Sequence, residues 1–577
     1  MADLPVELWL LLLKKAVGAS ARTQDTDAVA ATLLSVCTAS RAAVHEWVGE
    51  TQGLNVKQAE AFVHVVLLGR SLHLDGGAGV GKSHLTRLIA AAVRKRVAMP
   101  DAVVVGCPTG AAARVASSST GAPARTLHNL FNMRTKARPP RRADGSEGSR
   151  AVSSAGTASV NEMSPEETAL QMAVEAGDLE PEADAPVAGG VLCSVLDKHT
   201  RPRLRAVRLC IIDEVSMVSA EMLRVVHDAF LTVKCPERRR NHAHQPPEPP
   251  FGEVVMLFVG DFYQLAPVGN RAQWAFESER WPPGMPTIAL TEQVRQGPGT
   301  PFANVLARMR VGQLTAADVT WLNAQVAQNA QGQETLYLAP SNNKCNAENE
   351  RKLSANPNET LVSIAHKGCS ALVSVSPRWV TRPLDPRKVP FRLKWSTAVP
   401  EELELKVGAR VRCTRNIYVG KYPDRELQTA NGQRGTVLSL GFDEVMGRCA
   451  SATVRWDGLG DEPDTVERVS PVSYARRQQQ RTPEGETCFT TVHQLPLAVA
   501  YAITIHSAQG GTHKEPIKMD LSAVTKEADS DRWVACPGAI YVAMSRATQL
   551  ANITLVQPLR LAQVRVNAAV AARFPPA

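Results

Sequence analysis

Gly76-Gly77-Ala78-Gly79-Val80-Gly81-Lys82-Ser83 decides how this chain is read. The run has the form GxxxxGK[ST]. Its glycines let backbone N–H groups curl around phosphate oxygens, and the helix that follows turns its positive end toward them. Lys82 then reaches the β- and γ-phosphates, and the Ser83 hydroxyl ligates Mg²⁺. The flanking sequence supplies the context that such a loop needs. Ser71 to Asp75 predicts a short strand, Lys82 to Arg96 a helix, and Ala102 to Cys107 a second apolar strand. Strand alternating with helix predicts a parallel, doubly wound α/β sheet.

Two further apolar strands end in polar residues. Leu209-Cys210-Ile211-Ile212 runs into Asp213-Glu214, and Phe258-Val259-Gly260 runs into Asp261-Phe262-Tyr263-Gln264. Parallel strands deliver their C-terminal residues to one ligand edge. Asp213 suits a Mg²⁺ shell, and Glu214 suits orienting and deprotonating an attacking water. Three strands aimed at one phosphate site imply an ATPase that performs phosphoryl transfer, with ATP and Mg²⁺ as cofactors.

Length and composition bound the rest. At 577 residues the chain is long enough for about four domains. A hydrophobic fraction of 44% and a charged fraction of 21% exclude a wholly disordered, collagen-like or coiled-coil protein. A net charge of +9 is compatible with a polyanionic partner. Eleven cysteines with no CxxC pair fit neither a disulfide framework nor a zinc ribbon, and point to an intracellular setting. The apolar run Leu8 to Leu13 is too short to span a bilayer, so no membrane association is expected.

Along the chain, residues 1–50 read as a helical unit and 51–300 as a first lobe. Within that lobe, 136–200 carries a Ser-, Gly- and Glu-rich insertion expected to be mostly disordered. Residues 301–400 open a second lobe. Residues 401–490 turn β-like and suggest a small inserted barrel, and 491–577 complete the second lobe. Trp274, Trp281 and Trp321 are either stacking platforms for bases or core residues. His242 and His244, in a polar loop, lack further metal ligands nearby.

The spaced motifs resemble the PIF-type (petite integration frequency) DNA helicases of superfamily 1B. Gln58, in Leu54-Asn55-Val56-Lys57-Gln58, matches the glutamine that reads adenine. Thr109-Gly110-Ala111-Ala112-Ala113 with Thr126-Leu127-His128 resembles the DNA-contacting motif Ia region. Asp213-Glu214 and Gly260 to Val268 resemble motifs II and III. Leu290 to Gln296, with Arg295, resembles motif IV. Leu405 to Ala409 with Asn431 to Gly435 matches the barrel-forming segment. Thr504-Ile505-His506-Ser507-Ala508-Gln509-Gly510 resembles motif V, and Tyr541 to Thr548, with Arg546, resembles motif VI. Ser507-Ala508 stands where the family usually has Lys-Ser, and Ala266 stands where proline is frequent.

The resemblance implies two RecA-like lobes with ATP and Mg²⁺ between them, moving 5′→3′ on single-stranded DNA and opening duplex junctions. It implies catalytic roles for Lys82, Asp213, Glu214, Gln264, Arg295 and Arg546. Nucleotide contacts would come from Gln58, the phosphate loop, Gln509 and Gly510. DNA contacts would come from Thr109, Gly110, Thr126, His128 and His506. Work in DNA repair, recombination or telomere maintenance follows, in the nucleus or another DNA-containing compartment. The family's strand-separating wedge falls in the 136–200 region. Leu4-Pro5-Val6-Glu7-Leu8-Trp9, with Leu34 to Cys37 and Arg41, weakly resembles an F-box, which binds a Skp-type adaptor. The rival reading is therefore a ubiquitin-ligase adaptor that uses a helicase body to recognise DNA. A plain helical appendage remains the other reading of residues 1–50.

Overall fold

The computed structural model describes residues 52–136, 160–161, 191–236, 248–267, 272–297, 299–327, 336–375, 378–384, 399–419, 426–443, 448–458, 463–481, 487–511, 513, 515–522, 525–526, 533–534 and 536–575. The F-box-like segment, most of the 136–200 insertion and the His242/His244 loop lie outside these residues. The chain divides into two compact units, residues 1–70 and 71–577.

In the first unit, Val56–Phe62 is a helix that continues into a π-turn over Val63–Leu67. Asn55 and Gln58 form a reciprocal cap at its start. The Asn55 side chain accepts from the Gln58 N–H, and the Gln58 side-chain oxygen accepts from the Asn55 N–H.

The second unit opens with a six-stranded parallel sheet. Its strands are β1 (Leu72–Gly76), β2 (Val103–Cys107), β3 (Ala124–Thr126), β4 (Leu209–Ile212), β5 (Val255–Gly260) and β6 (Thr287–Leu290), in the order β3-β2-β4-β5-β1-β6. Every residue of β1, β2 and β4 is buried. A parallel sheet covered on both faces demands such runs, and this is why the strands are visible in the sequence. Helix α1 (Lys82–Val97) leaves the phosphate loop, and α2 (Gly110–Thr120) follows β2, capped by the Thr109 hydroxyl.

A second parallel sheet has the order β8-β7-β9-β10, from β7 (Leu336–Ala339), β8 (Ala502–Thr504), β9 (Ile517–Met519) and β10 (Ile553–Leu555). The two RecA-like sheets expected from the motifs are thus present. Helices α3 (Pro301–Arg310) and α4 (Ala539–Met544) pack with this second lobe.

Between β7 and β8 the strands are antiparallel, beginning at Thr360–Ile364 and ending at Leu497–Val499. Five of them form one sheet in the order Thr465–Val469, Arg448–Trp456, Arg434–Asp443, Arg410–Cys413, Leu497–Val499. This insert has its own core around fully buried Trp456, Val411, Leu405 and Leu497. The described part of the 136–200 region forms a small sheet, in which Val191–Val195 pairs with Met133–Lys136 and with Val160–Asn161.

The lobes exchange core residues. Leu265, from the turn after β5, is buried in the second lobe's cluster. Val570, near the C-terminus, is fully buried in the first lobe's cluster. Trp274 and Trp281 are also buried in that first cluster, and Trp321 packs against the second. All three tryptophans are therefore core residues. Among the described residues, no helix is long and apolar enough to cross a membrane.

Candidate nucleotide site and nucleic-acid interface

β1 ends at Gly76, and the chain turns through Gly77 to Gly81 before α1. Gly79 and Gly81 have φ of 83° and 85°, the left-handed region in which a side chain is strained. A Cβ at Gly79 would also collide with the Cβ of Arg295. Lys82 Nζ donates to the carbonyls of Gly76 and Gly77 at 2.6 and 2.8 Å, which holds the ammonium inside the curl of the loop. Burial depresses its pKa, and the carboxylates of Asp261, Glu214 and Asp75 oppose that shift. Acids from three neighbouring strands therefore converge on one lysine. Ser83 lies exposed on the first turn of α1.

Asp213 and Glu214 follow β4. The Glu214 N–H donates to Asp213 Oδ1 at 2.9 Å, and Glu214 adopts a left-handed conformation with φ 52°. Burial, then the adjacent Glu214 charge, pushes the Asp213 carboxyl up to about 6. Glu214 Oε2 is buried with no hydrogen-bond partner among the described residues, and so is Gln264 Oε1. Two unpaired acceptors at the end of the sheet suit an ordered water, since buried polar atoms are normally satisfied. The donor set of Asp213 and Ser83 is oxygen only. A divalent cation beside Asp213 would offset the burial and the Glu214 charge that together raise its pKa. Both features fit Mg²⁺.

The second lobe reaches this edge from several directions. Gln509 Nε2 donates to Ser216 Oγ at 3.0 Å, and a Cβ at Gly510 would lie 3.5 Å from Glu214 Oε1. Arg295 Nη1 donates to the Ser545 carbonyl at 3.4 Å. Burial, and then Arg546, pulls the Arg295 pKa down to about 10. Arg546 is buried and donates to the carbonyls of Val542 and Gly511 at 2.9 and 2.8 Å and to Ser545 Oγ at 2.9 Å. In this conformation its guanidinium is held by its own lobe.

The expected DNA-contacting residues divide between the lobes. Thr109 and Thr126 stand at the C-terminal ends of neighbouring strands β2 and β3. Each hydroxyl caps the helix after it, accepting from Ala112 N–H and Asn129 N–H. His128 is half-buried two residues further on, in the short helix that Thr126 caps, and His506 is exposed after β8 in the second lobe. Gly110 is met by Asn416 of the antiparallel insert, whose amide would clash with any Cβ there. Asn416 also accepts from the Asn431 N–H at 2.8 Å. Gln58 belongs to the first unit, where its oxygen serves the helix cap described above.

A family model for an AAA domain matches residues 58–270. The ATP-dependent DNA helicase Pif1 of Bdellovibrio bacteriovorus is 28% identical over 508 residues, which cover 87% of this chain and 88% of that relative. The chain is thus similar to a PIF-type helicase over most of its length. Human ATP-dependent DNA helicase PIF1 is 26% identical over 357 residues, 60% of this chain and 45% of the human protein. The crystal structure of Pif1 helicase from Candida albicans superposes with a TM-score of 0.57 at 22% identity, covering 90% of this chain and 98% of that one. Bacteroides Pif1 bound to single-stranded DNA gives 0.56 at 19% identity over 90% and 95%.

Four residues of this site escaped the sequence reading. Arg310 Nη2 lies 2.7 Å from both oxygens of Asp75, and its Nε donates to Asp261 Oδ1 at 2.9 Å. Burial works against the guanidinium charge, but Asp261 and Asp75 outweigh it and raise its pKa. Asp261 Oδ2 also accepts from the Tyr541 hydroxyl at 3.0 Å. Asp75, Asp261 and Tyr541 lie inside quoted motifs and could have been singled out as polar residues in apolar runs. Arg310, at the end of an amphipathic helix, carries no such signal.

Proposed function

We propose that this chain is an ATP-driven DNA helicase that tracks single-stranded DNA, 5′→3′, and opens duplex ahead of it. One observation carries the reading. Arg295 packs on the phosphate loop at Gly79 and bonds the second lobe at Ser545, so the nucleotide cradle lies where the two lobes meet. The relatives support it, since they include ATP-dependent DNA helicases and a Pif1 bound to single-stranded DNA.

In this reading Lys82 and the N–H groups of Gly77 to Ser83 hold the phosphates. Glu214 and Gln264 orient the attacking water, and Glu214 accepts its proton. Ser83 and Asp213 would hold Mg²⁺, which when bound would supply positive charge beside the phosphate oxygens. Arg295 and Arg546 meet the charge that develops on the γ-phosphoryl group, with Gln509 and Gly510 completing the second-lobe side. Thr109, Gly110, Thr126, His128 and His506 would line the strand's path, and Gln58 would select adenine. The antiparallel insert closes into a small barrel in this reading, and residues 1–50 are tested for a Skp-type adaptor by co-purification. The cell setting follows the substrate, a compartment that holds DNA.

DNA-stimulated ATP hydrolysis by the purified chain, and unwinding of duplexes with a 5′ or a 3′ single-stranded tail, test the proposal. Hydrolysis that DNA does not stimulate, or unwinding only from 3′ tails, would overturn the corresponding part.

A further inference from the structure

Tyr541 has no task in the reaction just described, yet it touches the phosphate loop. It lies on α4 of the second lobe and is 4% exposed. Its hydroxyl accepts from the Ala78 N–H at 3.0 Å and donates to Asp261 Oδ2 at 3.0 Å. A Cβ placed on Gly77 would lie 2.9 Å from the same oxygen. Gly77 and Ala78 belong to the loop whose N–H groups bind phosphate oxygens in chains of this pattern. A hydroxyl oxygen on Ala78 N–H therefore occupies a donor of the nucleotide cradle.

The acceptor that holds this hydroxyl is itself fixed. Asp261 accepts from the Tyr263 N–H at 3.1 Å and from Arg310 Nε at 2.9 Å. Arg310 is in turn clamped by both oxygens of Asp75, the residue just before the loop. The tyrosine is thus not a loose surface ring that happens to lie near the loop. It is presented to Ala78 by a buried ion-pair network anchored in the first lobe.

We propose that Tyr541 gates the phosphate loop: its hydroxyl competes with a nucleotide phosphate oxygen for the Ala78 N–H, and nucleotide entry releases α4 from the first lobe. The proposal deepens the ATPase reading and rests on it. Linkage makes the effect reciprocal: a contact broken by nucleotide must weaken nucleotide binding while it is made. Ser545, which receives Arg295, and Arg546 follow α4 directly. Movement of Tyr541 off the loop would therefore be carried to both arginines. Tyr541 is a positioning residue in this scheme, since it acts through the loop and α4.

The test is the affinity of a non-hydrolysable ATP analogue, with adenosine as the phosphate-free control, for wild type and Tyr541→Phe. Removing the hydroxyl is expected to tighten the analogue about 3- to 10-fold, the value of one hydrogen bond, and to leave adenosine unchanged. A merely structural tyrosine predicts the opposite sign, because losing a buried hydrogen bond loosens the site. Equal or weaker binding of the analogue by a variant with a wild-type melting transition would overturn the gate. So would equal tightening of adenosine. Tyr541→Met, which lacks both ring and hydroxyl, gives the same comparison should phenylalanine not fold. Failure of the wild-type chain to bind the analogue at all would instead remove the ATPase reading.

Discussion

The backbone N–H of Arg295 donates to the carbonyl of Gly79 across 3.2 Å, beside a second bond from Val294 N–H at 2.8 Å. The two bonds seat the motif IV segment on the phosphate loop. The Arg295 side chain then extends to Ser545 of the second lobe. Arg295→Ala is expected to cut DNA-stimulated kcat by roughly two to three orders of magnitude with little change in nucleotide affinity. Lysine should rescue poorly, because a point charge lacks the planar fork. If saturating DNA restored kcat, the arginine would be a DNA contact and not part of the phosphate site.

Arg546 should behave differently. Its donors are engaged by Val542, Gly511 and Ser545. Arg546→Ala leaves these buried acceptors without partners, at a cost of roughly 2–4 kcal/mol. The expected result is a lower melting temperature together with lost activity. A variant that loses kcat but melts like wild type would show that the guanidinium works on the phosphates alone.

Lys82→Ala is expected to abolish hydrolysis, since the loop loses the cation held by Gly76 and Gly77. Glu214→Gln should bind ATP and retain it uncleaved, because the unpaired Glu214 Oε2 is the acceptor available for the water's proton. Single-turnover hydrolysis and nucleotide retention on a filter distinguish the two. Near wild-type turnover by Lys82→Ala would remove the phosphate-loop assignment.

Legibility in the sequence followed burial. Strands β1, β2, β4 and β5 could be read because a two-sided parallel sheet makes each an apolar run, and the polar residues that end each run mark the ligand edge. The clamp at that edge could not be read. Arg310 and Asp75 are 235 residues apart, and only the fold brings them to 2.7 Å. The arginine's helix looks like any amphipathic helix with a basic last turn. The antiparallel region was visible through its Gly and Asn turns near 408 and 432, but not its start at Thr360. The tryptophans stayed open between stacking and core for a similar reason, and the core reading holds: a large ring has the same appearance in a sequence whether it meets a base or a core.

The C-terminal segment was also silent in the sequence, yet it straps the lobes together. Phe574 stacks on Phe262 at 5.0 Å with an interplanar angle of 10°, and its carbonyl accepts from the Tyr263 hydroxyl at 2.6 Å. Tyr263 carries Arg310 over its ring at 4.8 Å. Phe574→Ala is expected to destabilise the protein by about 2 kcal/mol through lost aromatic contacts. It should also raise nucleotide-independent lobe motion, read as faster hydrogen exchange across residues 566–574. Unchanged melting and exchange would mean that the strap carries no strain between the lobes.

His73 supplies a pH test of the same aromatic cluster. Its ring lies 5.1 Å from Phe262 and 5.2 Å from Phe574, and Nδ1 is 3.2 Å from Thr287 Oγ1. Burial, the largest influence, lowers its pKa from 6.5 to about 4, against the pull of Asp75. Between those values the unfolded chain binds a proton that the folded chain refuses. Stability therefore rises with pH across that window and falls as pH drops from 6.5 toward 4. The loss from this one residue is at most roughly 3 kcal/mol. His73→Leu removes the titrating group at similar volume, so its melting temperature should fall less steeply than wild type between pH 6.5 and 4. Parallel profiles for the two proteins would show that the acid sensitivity lies elsewhere and that His73 is charged, or free to become so, in the folded state.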